Sequence, residues 1–416
     1  MAEDWRHDRA EPVAVGPPRR AMSRSDRMRL ERSRRRRRIA GGVSLAMLVV
    51  VVIGAVFLGS KLWHSMFGGN GNDFAGEGVT DVVIQVHDGD STTAIGQTLH
   101  DNNVVATVKA FVDAAEGNSG ITAIQPGFYK VRTEIPAANA VERLTDPQSR
   151  VGKLVIPEGR QLDDVSDVKT NAVTEGIFTL ISRATCVDLD GEQRCVAADE
   201  LKRVAATAAP AALAVPEWAL QPVRAMGDDH RRLEGLIAPG SWNIDPSSAT
   251  PQDILATLIR SSGNQYAQGG LLETANAMNL SPYQVLTVAS LVQRESKPED
   301  FAKVARVIYN RLAENRTLEF DSTVNYPLDR IEVATTDGDR GQLTPWNTYV
   351  RAGLPATPIC SPSQPALLAA EKPADGDWLY FVTIDLQGTT LFTRDYNEHL
   401  ANIELARHNG VLDSAR

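Results

Sequence analysis

Several common sources of chemistry are missing from this chain. It has only seven histidines, and no two stand four residues apart, so the helix that carries zinc in many hydrolases is absent. Cysteine is scarcer still, at three residues, and the spacing of Cys186 and Cys195 fits no common zinc motif. There is no phosphate-cradling Walker loop, no glycine-rich dinucleotide fingerprint and no internal repeat. With these signatures absent, no metal or other cofactor is expected. Long apolar runs are also rare, and the one present, Ile39 to Leu58, is uncharged throughout.

The charge is unevenly divided. The net value is −9, yet residues 1–38 hold thirteen arginines against six acidic residues, which leaves −16 for the remainder. Such a basic, apolar-poor stretch is expected to be a disordered tail. Its run Arg34 to Arg38 could suggest nucleic acid, but the apolar stretch that follows argues against that partner. About 20 apolar residues suffice to cross a bilayer. Arginine on the N-terminal flank then predicts a cytoplasmic tail and an extracytoplasmic remainder. A cleaved signal peptide competes with this reading. The run is longer than a typical signal core, however, and no clear small-residue cleavage site follows, so an uncleaved anchor in the lipid bilayer is preferred. An oxidising compartment fits Cys186 and Cys195, which flank the turn pair Asp190-Gly191 and are expected to form a disulfide across a hairpin. Cys360, between prolines, reads as a packed free thiol.

Residues 59–79 form a glycine-rich linker. An α+β fold is expected beyond it. Strands at Val82–Val86, Gly127–Val131 and Lys153–Ile156, with helices at Ser91–Asn102, Ala106–Ala115 and Ala137–Leu144, outline a small module over 80–157. A further helix is expected from about Leu162, and Ala205–Pro216 reads as a tether or peripheral helix. The larger domain, 158–416, is mainly helical with β excursions. Its helices are expected at Pro251–Ser261, Leu271–Ala277, Ser281–Glu295 and Asp300–Glu314, and its strands at Trp378–Thr383 and Thr389–Phe392.

Ser281–Glu295 is the most informative of these. Ser281 and Gln284 form a capping box, and Pro282 suits the first helical position. Val285, Leu286, Val288, Ala289, Leu291 and Val292 make the helix apolar on nearly every side. Glu295 projects from that stripe, three and four residues after Val292 and Leu291. Desolvation and the negative helix end both favour its protonated form, which is what a general acid needs.

The blocks Val155-Ile-Pro-Glu-Gly159, Leu233-Glu-Gly235, Ala289 to Glu295, Val304 to Leu312, Leu318 to Tyr326, Asn347-Thr-Tyr349, Gly353-Leu-Pro355, Pro358 to Pro362 and Tyr380-Phe-Val382, with His399, carry a resemblance. In this order the chain resembles the MltG/YceG-like endolytic murein transglycosylases, from about Val82 to Asn409. Ile237 stands where that family usually has an aromatic residue. The resemblance implies one N-terminal span, a LysM-like module and a catalytic domain that cleaves the MurNAc-β-1,4-GlcNAc bond of peptidoglycan glycan strands. The muramic C6 hydroxyl would be the attacking group, giving 1,6-anhydro ends with Glu295 as acid and then base. Asp321, Asn310, Tyr326, Asn347, Thr348 and Tyr349 are the candidate substrate-binding residues. His399 reads as structural. Two alternatives stay open: a water-using muramidase with Asp321 as second carboxylate, and a non-catalytic scaffold recruiting cell-wall synthases.

Overall fold

The computed structural model describes residues 73–328, 330–331 and 336–411; the basic tail, the apolar run and the first part of the linker lie outside them. Among the described residues no helix is long and apolar enough to cross a membrane.

Two hydrophobic cores organise this part of the chain. The smaller lies under an antiparallel sheet in which β2 (Gly127–Arg132) is central, flanked by β1 (Asp81–Val86) and β3 (Arg150–Val151). β1 and β2 pair in register from Asp81–Arg132 to Val86–Gly127. On β2 the residues alternate buried and half-buried, as a one-sided sheet requires. Three helices supply the other side: α1 (Thr92–Asp101), α2 (Val108–Ala115) and α3 (Ala137–Thr145). Ser91 and Thr107 cap the first two through their hydroxyls, so the hydroxyl-bearing residues set where each helix starts. Leu99, Phe111, Val131 and Leu144 meet in the interior.

Gly152 marks the passage from one core to the other. It adopts φ +68°, and a Cβ there would lie 1.8 Å from the Ile244 carbonyl oxygen, so only glycine fits. The next strand, β4 (Lys153–Ile156), does not close the small module as its position in the sequence suggests. It pairs instead with β5 (Gly240–Asn243) and buries Leu154 and Ile156 in the larger core. Strand propensity is legible locally, whereas the pairing partner lies some ninety residues downstream. The helix expected from Leu162 is absent. Residues 160–164 form no helix, Val165–Asp167 is a strand, and helix begins only at α4 (Ile177–Ala184). Leu162 is buried all the same, so its apolarity marks core and not helix.

The larger core is built around α5 (Pro251–Gln268), α6 (Leu271–Ala277), α7 (Pro282–Glu295), α8 (Phe301–Ala313) and α9 (Gln364–Glu371). α7 is central and packs against α6, α8 and α9. Its side chains from Val285 to Val292 are all buried, and each large aliphatic one contributes about 1.5–3 kcal/mol. The capping box between Ser281 and Gln284 is formed. The helix stops at Glu295 because Ser296 turns extended, at φ −150° and ψ 174°, and Lys297, preceding Pro298, stays extended after it at φ −85° and ψ 158°. Beyond α8 come the short α10 (Asp321–Asn325) and the hairpin of β6 (Tyr380–Thr383) with β7 (Thr390–Thr393). A last helix, Tyr396–His408, packs on that hairpin.

A two-stranded hairpin, Val187–Leu189 with Glu192–Arg194, sits where the two cores meet, and Cys186 and Cys195 are disulfide-bonded at its base. Asp190 at its tip exchanges hydrogen bonds with Asp81 of β1: each backbone N–H donates to the other's carboxylate at 3.0–3.1 Å. Lys130 of β2 bridges Asp81 at 2.8 Å and donates to the Asp188 carbonyl.

Candidate active site

The last turn of α7 delivers Glu295 to the wall of a cleft of about 320 Å³, lined also by Arg311, Glu319, Phe320, Asp321, Tyr349, Phe381 and His399. A larger cleft, about 680 Å³, flanks the other end of α7, but no acidic residue lines it.

Glu295 is half-buried, and Ser322 on α10 donates its hydroxyl to Oε1. Burial pushes the carboxyl up to about 7; the nearby Asp321 charge adds to this, while Ser322 and Arg294 pull the other way. Such a group is half-protonated near neutrality, so it can give a proton and take one back.

Asp321 is held differently. Arg340 grips it with Nε on Oδ1 and Nη2 on Oδ2, both at 3.2 Å, and the Tyr349 hydroxyl donates to Oδ1 at 2.7 Å. The Arg340 guanidinium also lies 5.1 Å from the Tyr349 ring centre. Asp321 and Tyr349 thus line the cleft as a joined unit.

The other four candidates from the sequence do not line it. Asn310 donates its amide to the carbonyls of Trp378 at 2.9 Å and Gly376 at 3.3 Å, tying α8 to the segment before β6. Tyr326 is buried and donates to Glu234 at 2.8 Å. Asn347 is spent on the carbonyls of Arg340 and Gln342, at 2.9 and 2.7 Å, while its own oxygen accepts the Tyr349 N–H. Thr348 is buried; its hydroxyl accepts the Phe320 N–H at 3.1 Å and its carbonyl the Glu319 N–H. Asn347 and Thr348 therefore shape the cleft from behind by fixing Tyr349, Glu319 and Phe320.

Three contributors, Ser322, Arg311 and Glu319, lie within two of the blocks that carry the resemblance, but nothing in the sequence assigns them a role in the cleft. Arg311 pins three carbonyls, those of Leu379, Leu318 and Thr317, at 2.6, 2.9 and 3.1 Å. Glu319 adopts φ +60°, a left-handed conformation that costs a non-glycine residue about 1 kcal/mol or more. No spacing rule announces these roles, since each depends on partners folded in from elsewhere.

A second carboxyl, Glu234, lies deeper. It is 1 % exposed; Oε2 accepts from Leu162 N–H and Tyr326, while Oε1 has no partner among the described residues. Burial raises it to about 7, with Asp163 adding to the push. Asp163 itself is buried, which opposes its charge, yet His230 and Lys202, each at 2.6 Å, hold it down to about 2. Next to Glu234, Gly235 is required: at φ +76° its Cβ would lie 2.6 Å from Pro358. That contact packs the Leu-Glu-Gly block against the Pro-Ile-Cys block.

The model of the YceG-like family matches residues 84–405. The endolytic murein transglycosylase of Bacillus subtilis (strain 168) is 26% identical over 322 residues, which cover 77% of this chain and 83% of that protein. The protein of the same name from Streptococcus pneumoniae serotype 2 (strain D39 / NCTC 7466) is 25% identical over 345 residues, 77% of this chain but only 58% of its own length. Among solved structures, a putative yceG-like protein from Listeria monocytogenes aligns with a TM-score of 0.47 at 24% identity, covering 77% of this chain and 98% of that one.

Proposed function

The chain belongs to the YceG-like family, and from that premise we propose that it is an endolytic peptidoglycan lytic transglycosylase. In this reading it cleaves the MurNAc-β-1,4-GlcNAc bond of nascent glycan strands and so trims or terminates them. The relatives' names support the reaction class. The observation that carries the reading here is Glu295, a half-buried carboxyl raised to about 7 beside an aromatic-walled cleft.

Glu295 protonates the departing glycosidic oxygen as the C1–O bond breaks. The muramic C6 hydroxyl bonds to C1, and its proton returns to the Glu295 carboxylate. The product is a 1,6-anhydro end, with no water consumed. Ordinary glycosidases need a second carboxylate across the bond, free to act as nucleophile or base. Asp321 is engaged by Arg340 and Tyr349, and Glu319, the other carboxylate of the cleft, accepts from Thr317 at 2.8 Å and Arg311 at 3.4 Å, which favours the mechanism in which the substrate supplies the attacking group.

Residues 39–58 would anchor the enzyme in the cell membrane with the cleft outside. The 80–157 module, LysM-like by resemblance, would grip glycan or set the height of the cleft. Cell-wall synthases are the partners this placement suggests. The test is digestion of uncrosslinked glycan by the purified chain, with mass spectrometry of the ends. Ends lighter by one water support the proposal. Reducing ends would mark a hydrolase, and the loss of all cleavage would remove the enzymatic reading.

A further inference from the structure

The cleft contains one more group whose hydrogen-bonding capacity is unspent. His399, on the C-terminal helix Tyr396–His408, lines the same wall as Glu295. Its imidazole stacks on Tyr380, with ring centres 4.9 Å apart and 20° between planes, and Tyr396 lies 6.4 Å away on a tilt. Tyr380 is in turn faced by the guanidinium groups of Arg311 and Arg316, at 5.1 and 5.2 Å. Among the described residues the ring is therefore clamped by stacking and by no side-chain hydrogen bond. Nδ1 is closed off from solvent and has no partner among the described residues. Nε2 is the nitrogen left to serve the cleft.

From this geometry we infer that His399 is a substrate-contacting residue, its Nε2 hydrogen-bonding an uncharged group of the sugar, a hydroxyl or acetamido, bound against Glu295. The inference rests on the glycan-cleaving reading above and adds a named contact to it. Burial and Arg311 lower the imidazole's proton affinity, against the opposing charge of Glu319, so the ring stays neutral. A neutral ring beside a guanidinium suits a sugar hydroxyl or amide better than a cationic ligand. The packed Tyr380 face fixes its direction before any ligand arrives, which lowers the ordering cost of binding.

The test uses the full chain with a defined uncrosslinked MurNAc–GlcNAc oligosaccharide. In a Glu295→Gln background, which holds the substrate without cutting it, affinity is measured by calorimetry with and without His399→Phe. Phenylalanine keeps the ring stacked on Tyr380 and deletes both nitrogens, so folding should be preserved; thermal unfolding checks this. Loss of a buried hydrogen bond to a neutral group is expected to weaken binding about tenfold. In the active chain, His399→Phe should raise KM, and His399→Gln should recover part of the loss. A His399→Phe chain that binds and cuts like the parent overturns the inference while leaving the enzyme reading intact. A Glu295→Gln chain that binds no oligosaccharide at all removes both. If the His399→Phe substitution unfolds the protein, His399→Gln and His399→Ala decide together: affinity kept by Gln and lost by Ala supports Nε2-type bonding, since the Gln amide can replace it, and equal affinities for Gln and Ala overturn it.

Discussion

Ser322 donates its hydroxyl to Oε1 of Glu295, joining the end of one helix to the first turn of another across 27 positions of sequence. This bond favours the carboxylate, whereas burial favours the acid, and burial has the larger effect. Removing the hydroxyl should therefore move Glu295 further upward. In Ser322→Ala the alkaline limb of the kcat–pH profile is expected to shift to higher pH. The rate at its optimum should fall about tenfold, because the acid is less well oriented. Full pH–rate profiles of both proteins check this.

Glu295→Gln should lower glycan cleavage by about 10²–10⁴-fold, the scale of a lost general acid. The amide is isosteric and can still accept from Ser322, so circular dichroism and thermal unfolding should match the parent. Anhydro ends, counted by mass spectrometry, are the readout.

For the parent, the acid must be protonated to act. Activity governed by Glu295 should fall as pH rises through about 7. A profile that is flat from pH 6 to 8 would remove Glu295 from the role of acid.

Glu234 makes a prediction about stability. Its folded pKa, about 7, lies above the ordinary 4.5, so the native state binds more protons than the unfolded state between those values. Stability from this group is complete below pH 4.5 and is lost as pH rises through 7. Glu234→Gln can still accept from Leu162 and Tyr326 through its carbonyl oxygen and cannot ionise. It should match the parent near pH 4 and exceed it at pH 8 by roughly 3 kcal/mol, the size of the pKa displacement. Denaturant unfolding at the two pH values measures it.

The disulfide between Cys186 and Cys195 closes a short loop, nine positions apart, whose tip holds the smaller module through Asp190 and Asp81. Replacing both cysteines by serine should cost about 2–3 kcal/mol for a loop of this size. Limited proteolysis should then cut faster near Gly152, where the chain passes between the two cores. Unchanged proteolysis would separate the hairpin from module docking.

By itself the sequence determined the local elements that carry the chemistry. The Ser281–Gln284 box, Pro282 and the pre-proline Lys297 delimit one helix at both ends, and its apolar side chains place Glu295 at the border of the core. Ser91, Thr107 and the alternation on Gly127–Arg132 are equally local signals. What only the tertiary structure decided is which polar side chains face the cleft. Tyr326 and Tyr349 look alike as isolated residues, yet one turns inward to Glu234, 92 positions away, and the other meets Asp321 at the cleft. Asn310 and Asn347 are drawn off by backbone carbonyls that no spacing rule could foresee. Lys153–Ile156 reads correctly as a strand, while its partner at Gly240–Asn243 follows from the chain's return path. The physical reason is one of range. Capping, periodicity and proline geometry act within a turn or two, whereas a buried polar group must be satisfied by whatever the folded chain brings beside it.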